Sequence, residues 1–507
     1  MKNKKLNKTL IVLSLILILG LGIRLYKLDQ IPSGFFCDEA AKGYDAYNIL
    51  NTGRDHHNEF LPLSINSFNT ANIEPMYTYL TIIPVMLFDL SIFSTRFVGA
   101  IIGSLTILTT YLLGKELFNK KIGLISAFLL AVSPWHLVFS RWAVEGILIP
   151  FFLTLGFFFM LKALKQPKYF IFAAVTFSLS LYTYAVIKIV LPLMLILFVI
   201  LYQKELLHLF KSEKGAMKSA MISSVLFFIF AASSLFIYFF KSGNKKFSSV
   251  SIFNTTNPIK LFIKNFLAHL SPNFLFINGD GNLRHSIPGF GQILIVLAPF
   301  ILISLVVFMI KKRREGIFLI GGFIIGIIPA SLTTDSIPHA LRSIATLPFL
   351  EITAAFGIVW FYKSIPVGRL RKFVLIIMVL LLAVNSGMYL QSYFVKYPQQ
   401  SEGWFQFGLE DAIKYSQSEG NYDKIILSGR HLGHQPYIFP LFFSKINPVE
   451  YQKTGKMDNY YICYNEIIDC VDSGNNLYIV TSNELPDREI IRAVLGQKGN
   501  IVLKIVK

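Results

Sequence analysis

The chain has 507 residues, of which 54% are hydrophobic and only 15% charged, with a formal net charge of +19 and a mean hydropathy of +0.56. Soluble domains carry about 25% charged residues, so a soluble class is excluded and a polytopic α-helical membrane protein is expected. The positive charge does not point to nucleic acid: it lies mostly in short loops between apolar runs, where it sets topology and meets anionic lipid headgroups.

In chain order, a basic start (Met1-Lys-Asn-Lys-Lys) precedes an apolar run from Thr9 to Ile23 with no small-residue cleavage site after it. It reads as an uncleaved first span that starts in the cytoplasm. A long polar segment follows and holds Gly34-Phe35-Phe36-Cys37-Asp38-Glu39-Ala40. The stretch Glu74–Leu90, with Pro75 and Pro84 inside it, reads as interfacial helices rather than a span. Further spans are expected near 96–113, 122–138, 146–161, 169–181, 187–201, 220–240, 293–310, 316–332, up to Tyr362, and 373–390. Every second loop is rich in Lys and Arg, and the others hold Asp38, Glu39, Glu145, His285 and Asp335. This alternation over about eleven spans predicts that the acidic pair lies outside the membrane. The same side receives the two long loops, 28–95 and 241–292, and everything after residue 390. Residues 1–390 thus form a transmembrane domain. Residues 391–507 read as a small extracytoplasmic α/β domain, with strand-like runs at 424–428 and 477–481 and helix-like runs at 410–418 and 488–495. Cys463 and Cys470 lie in this polar region without zinc spacing, as a small disulfide or as two thiols.

Several residues have the chemistry of a site. Asp38 and Glu39 lie in apolar company close to a span end. A carboxylate shielded from water can take a proton from a hydroxyl, so the pair reads as a general base beside a ligand- or metal-binding carboxylate. Asp55-His56-His57-Asn58-Glu59 in the same loop reads as a second cluster with metal or proton-transfer potential, or as ordinary surface histidines. Glu145 follows Arg141 by four positions; on a helix both share one face, as an ion pair or as an oriented second acid. Arg342 and Lys188, at outer span boundaries, suit a phosphate or a lipid headgroup. The run from Asn278 to His285 has the glycines of a turn but lacks EF-hand spacing.

The order of these features resembles the GT-C superfamily of integral-membrane glycosyltransferases, within it the phospholipid-carrier-dependent group of protein O-mannosyltransferase and aminoarabinose-transferase relatives. The carrying residues are Asp38-Glu39, Thr52-Gly53-Arg54-Asp55, Ser140-Arg141 with Glu145, Leu181-Tyr182-Thr183-Tyr184, Gly279-Asp280 with Arg284-His285, and Leu341-Arg342-Ser343 with Pro348. The resemblance covers about residues 9–390 and leaves the tail outside. The resemblance implies a GT-C fold with about eleven transmembrane helices, a polyprenyl-phosphate-linked sugar as donor, and a lipid, glycan or protein acceptor reached from the outer face. It implies Asp38 as base or metal-associated carboxylate, Glu39 on sugar or acceptor, and Glu145 as the second-loop acid, one residue closer to its arginine than in the family pattern. Metal dependence varies across the superfamily, so a divalent ion is compatible with the reading and not required by it; Asp55, His56, His57 and His285 are the candidate substrate or metal contacts. Independently, a lipid-phosphate leaving group needs a base for the acceptor and cations for the phosphate rather than a strong acid. Asp38 suits the first role, and Arg342, Arg141 and Lys188 the second, with inversion at the anomeric carbon. The competing readings are a lipid-linked glycan transporter or flippase, which would want ionisable groups near mid-membrane such as Glu351, and a ligase or polymerase of lipid-linked oligosaccharide.

Overall fold

The computed structural model describes residues 8–68, 71–213, 215–240, 245–418, 422–430 and 432–507. Most of the basic N-terminal start, and residues 241–244 at the head of the second long loop, lie outside the described residues. Among the described residues, eight helices are long and apolar enough to cross a membrane, and three more apolar helices, Met76–Phe88, Tyr169–Ser180 and Ile295–Lys311, are shorter. The expected span at 122–138 is two helices, Lys120–Ala131 and Pro134–Phe139. Pro134 disfavours helix in the residue before it, and Ser133 is extended (ψ 125°). The outer helices carry apolar side chains without protein partners: Phe228 is 71% and Phe240 74% exposed. In water such a surface would aggregate; in a bilayer it faces lipid.

Four N-terminal helices organise the site: α1 (Lys8–Leu25), α2 (Cys37–Thr52), α3 (Met76–Phe88) and α4 (Ile92–Leu117). A short hairpin, β1 (Ile65–Ser67) with β2 (Ala71–Ile73), lies between α2 and α3. Inside the bundle, helices approach closely where small residues allow it. A Cβ on Gly357 would stand 2.0 Å from the Phe300 carbonyl oxygen. The hydroxyls of Thr109 and Thr154 meet at 2.6 Å between α4 and the helix Leu148–Ala163.

The acidic pair, expected in a loop, opens α2. Its start is fixed by extended backbone at Phe36 and by the Glu39 carboxylate, which accepts the Phe36 N–H at 3.2 Å. It stops at Gly53, whose φ of +70° suits a left-handed C-terminal position. Asp38, Lys42 and Asp45 recur at i, i+4 and i+7 and share one face, while Ala40, Tyr44 and Ala46 are fully buried.

The C-terminal region holds a five-stranded sheet built from β3 (Lys424–Ser428), β4 (Tyr460–Cys463), β5 (Asn476–Thr481), β6 (Ile490–Leu495) and β7 (Ile501–Val506), in the order β4-β3-β5-β7-β6. β3 runs parallel to β4 and β5, and β7 is antiparallel to β5 and β6. The stretch 488–495, expected as helix, contains strand β6 from Ile490 on: its apolar run is compatible with either state, and pairing with β7 decides between them. Cys463 and Cys470 form a disulfide, and Cys37 is a buried free thiol. The region docks directly on α2, where the Tyr44 hydroxyl donates to the Ile446 carbonyl at 3.0 Å. Maleimide labelling should therefore modify no cysteine in the folded protein, one after denaturation without reductant and three after reduction; labelling of three without reductant would refute the disulfide.

Candidate active site

The first turn of α2 borders a cavity of ≈ 400 Å³ at the end of the bundle that meets the C-terminal region. Asp38, Lys42 and Asp45 line it from α2, Glu145 and Tyr184 from the helical bundle, Arg284, His285, His339 and Arg342 from two later loops, and His434 and Gln435 from the C-terminal region. A narrower passage of ≈ 100 Å³ shares Ile73, Glu145, Tyr184 and Arg342 with the cavity and continues along Val186, Ile189, Val250 and Pro329. A polar chamber therefore adjoins a mainly apolar slot between helices, with Glu145 and Arg342 on the wall they share.

The two adjacent carboxylates of α2 have different surroundings. Glu39 is fully buried and holds Arg96 of α4 in a two-pronged pair, Nε to Oε2 and Nη2 to Oε1, each 2.9 Å. Its Oε2 also accepts the Ala143 N–H at 2.8 Å. With both oxygens engaged inside the protein, Glu39 fixes α2 and does not line the cavity, whereas the half-buried Asp38 does. Lys42, one turn on, reaches Glu145 Oε2 at 3.0 Å and the Asp38 carbonyl at 3.3 Å. Burial pulls the Lys42 ammonium down, but Glu145 and Asp38 more than offset it and hold it above its usual range.

The expected phosphate cations divide in the same way. Arg141 is fully buried, and its guanidinium donates to the carbonyls of Ile23, Arg24, Tyr26, Lys27 and Ile31 and to the Tyr393 hydroxyl. It caps the C-terminal end of α1, and no donor is left for a phosphate. Residues 141–144 are not helical, so Arg141 and Glu145 do not share a helix face. Lys188 pairs with Glu74 beyond the cavity. Arg342 does line the cavity, with Nη1 at 2.5 Å and Nη2 at 3.1 Å from the Asp335 carboxylate and Nη1 at 2.8 Å from Thr333 Oγ1.

Arg284, one of the residues in the Asn278–His285 run that carry the resemblance, receives no role of its own from sequence. Its guanidinium stacks 3.8 Å from the centroid of the Phe36 ring, with Trp404 at 5.7 Å. Burial draws it below its usual range, and Asp38 is the main opposing charge.

Asp55 and His56 are buried and His57 half-buried, in a cluster outside the cavity lining. Asp55 Oδ1 accepts the N–H groups of His57 (3.0 Å) and Glu59 (2.9 Å), and His56 Nδ1 lies 2.6 Å from Asp45 Oδ1. Burial, reinforced by Asp45, raises the Asp55 carboxyl to about 6. Burial, reinforced by His56, lowers His57 to about 4. Among the described residues, the donors that converge as a metal site would require are instead Asp280, His285 and His339, all buried, with ligand atoms within 4.8 Å of one another. The Ala340 N–H donates to Asp280 Oδ2 at 2.8 Å, and His285 Nδ1 lies 2.8 Å from the same oxygen.

Removing either partner of the Glu39–Arg96 pair leaves an uncompensated buried charge, which costs about 3–5 kcal/mol. Glu39→Gln and Arg96→Met should each lower the unfolding temperature and the monodisperse yield in detergent. Asp38→Asn should leave both near wild type; equal losses in all three variants would refute this division of roles.

Residues 72–236 match the family model described as dolichyl-phosphate-mannose-protein mannosyltransferase, about a third of the chain. An uncharacterized protein of Aquifex aeolicus (strain VF5) is 28% identical over 209 residues, and the match covers 40% of each chain. In fold, the chain is similar to ArnT from Cupriavidus metallidurans, with a TM-score of 0.59, 11% identity and coverage of 99% of this chain and 98% of that one. ArnT has also been solved bound to undecaprenyl phosphate. The archaeal oligosaccharyltransferase AglB from Archaeoglobus fulgidus, solved with an inhibitory peptide and a dolichol-phosphate, aligns at a TM-score of 0.51 and 14% identity, over 85% of this chain and 63% of that one. The same oligosaccharyltransferase has been solved with zinc and sulfate. About a third of the chain is thus similar in sequence to the mannosyltransferase family model, and nearly all of it shares the GT-C type of fold seen in ArnT, with eight described helices long and apolar enough to cross a membrane.

Proposed function

We propose that this protein moves a sugar from a polyprenyl-phosphate donor to an acceptor hydroxyl at the outer face of the membrane, with inversion and with Asp38 as general base. One observation carries the reading: Asp38 shares a cavity with Arg284 and Arg342, and that cavity adjoins a mainly apolar slot between helices. An isoprenoid tail suits the slot, its phosphate the arginines, and the sugar the polar chamber. ArnT and AglB, with the same fold, are recorded with undecaprenyl phosphate and dolichol-phosphate.

In the proposed step the acceptor oxygen bonds to the anomeric carbon as its proton passes to the Asp38 carboxylate. The bond from the anomeric carbon to the phosphate oxygen breaks, and the lipid phosphate departs with the electron pair. Attack on the face opposite the leaving group inverts the centre. Arg284 and Arg342 stabilise the departing phosphate. Glu39 holds the first turn of α2, and Glu145, paired with Lys42, forms the wall between chamber and slot. Phosphate binding falls to Arg284 rather than Arg141 or Lys188, because the hydrogen bonds of Arg141 are already made and Lys188 lies outside the chamber. Transport has no comparable support: Glu351 is buried, accepts the Ser133 hydroxyl at 2.9 Å, and lines neither chamber nor slot.

Asp38→Asn should reduce transfer by about 100-fold or more with membrane expression unchanged. Radiolabelled polyprenyl-phosphate sugar and membranes from the source cell measure this; near-normal transfer would remove Asp38 as base.

Two imidazoles and one carboxylate suit a divalent transition ion with open positions, so Asp280, His285 and His339 are the residues fitted to hold one. Such an ion, when bound, would supply positive charge beside the phosphate site. Elemental analysis of the purified protein should find near-stoichiometric metal that falls at least about 10-fold in His285→Gln and His339→Gln, as expected when a ligand of a three-residue site is lost. Metal at wild-type level in both variants would exclude this assignment.

A further inference from the structure

The segment that follows the last membrane helix reaches the catalytic helix through one side chain. The Cys37 N–H, in the first turn of α2, donates to Gln406 Oε1 at 2.9 Å. First-turn N–H groups have no partner within their own helix, and here a residue 369 positions away supplies one. The other end of the same amide faces the C-terminal region. Gln406 Nε2 donates to the carbonyls of Leu432 (3.3 Å) and His434 (3.0 Å). That loop continues into the cavity wall, because His434 and Gln435 line the chamber.

The surrounding backbone is shaped to hold this bridge. Gln406 itself has a φ of +50°, in the left-handed region. Gly433, at φ +92°, lies against it: a Cβ there would stand 3.0 Å from Gln406 Nε2. On the other side, a Cβ on Gly34 would stand 2.4 Å from the Phe405 carbonyl oxygen. Two glycines thus let the chain close on both sides of one glutamine, at the cost of non-helical backbone at the glutamine itself.

We infer that Gln406 is a positioning residue that registers the 432–435 loop, as the acceptor-side wall, with the α2 turn that carries Asp38. The functional half of this inference rests on the proposed transfer reaction; the structural half does not. The two ends of the amide are separable by substitution. Gln406→Ala removes both, whereas Gln406→Glu keeps an acceptor for the Cys37 N–H and loses the donor to the loop.

Hydrogen exchange on the full-length protein in detergent reads the structural half. Amides 37–42 should lose protection at least 10-fold in Gln406→Ala and keep it in Gln406→Glu, while the 432–436 loop loses it in both. Unchanged protection of amides 37–42 in Gln406→Ala, or equal loss there in both variants, would overturn the bridge. The functional half is read with undecaprenyl-phosphate mannose as the probe donor, following release of undecaprenyl phosphate with water as acceptor and with added envelope extract. Gln406→Ala should lower both rates at least 10-fold. Gln406→Glu should keep the water rate and lose the stimulation by extract, a split that loss of fold would not produce. Equal effects on both rates in Gln406→Glu would overturn the acceptor-side role. Absence of turnover in the wild type with every polyprenyl-phosphate sugar tried would count against the transfer reading itself and leave the exchange result to decide the bridge.

Discussion

The Glu39–Arg96 pair is the interaction on which the site depends. Arg96 sits fully buried near the start of a helix long enough to cross the membrane, where an unpaired guanidinium would be prohibitive. Its partner comes from the first turn of α2, and the same guanidinium donates to the carbonyls of Leu28, Pro32 and Gly34. One buried charge therefore gathers the loop after α1, the start of α2 and the wall of α4. Because Glu39 also accepts from Ala143, the segment leading to Glu145 is tied to the same point. Asp38, next in the chain, inherits a fixed place at the cavity edge without being consumed in fixing it.

Arginine illustrates the same economy elsewhere. Arg141 satisfies the carbonyls at the end of α1, and Arg24 donates from Nη1 to the Gly20 and Ala131 carbonyls, at 2.9 and 3.1 Å, and lies 2.8 Å from His136 Nδ1. A planar guanidinium with several donors suits places where helix ends and loop carbonyls converge away from water. The cations that line the chamber are held by fewer partners: Arg284 lies against the Phe36 and Trp404 rings, Arg342 bonds Asp335 and Thr333, and Lys42 bonds Glu145 and the Asp38 carbonyl. Saturation, more than burial alone, separates the two groups.

The chamber also shows why the C-terminal region belongs to the site. A single turn of α2 faces helices on one side and would be open to solvent on the other. The Tyr44 contact to Ile446, the Gln406 bridge and the Arg284–Trp404 stack close that second side. Charges there act in a partly water-excluded space, where electrostatic interactions are stronger than in bulk water.

Composition and periodicity alone determined the membrane class, the positions of most apolar helices, and the mixed helix and strand character of the tail. These are legible because lipid demands long apolar runs and because strand and helix differ in period. The face of α2 was also latent in the sequence: Asp38, Lys42 and Asp45 have helical spacing, a signal hidden when the segment is read as loop. What only the tertiary structure decided is which ionisable group is engaged and which is available. Asp38 and Glu39 are neighbours of similar chemistry, and Arg141 and Arg284 are both cations beside a loop, yet the partners that separate them lie from a few residues to several hundred positions away. Strand β6 followed the same rule, since an apolar run becomes strand when a neighbour offers it a hydrogen-bonding edge. Spacing along the chain records local periodicity, whereas saturation of a polar group depends on what the fold brings to its other side.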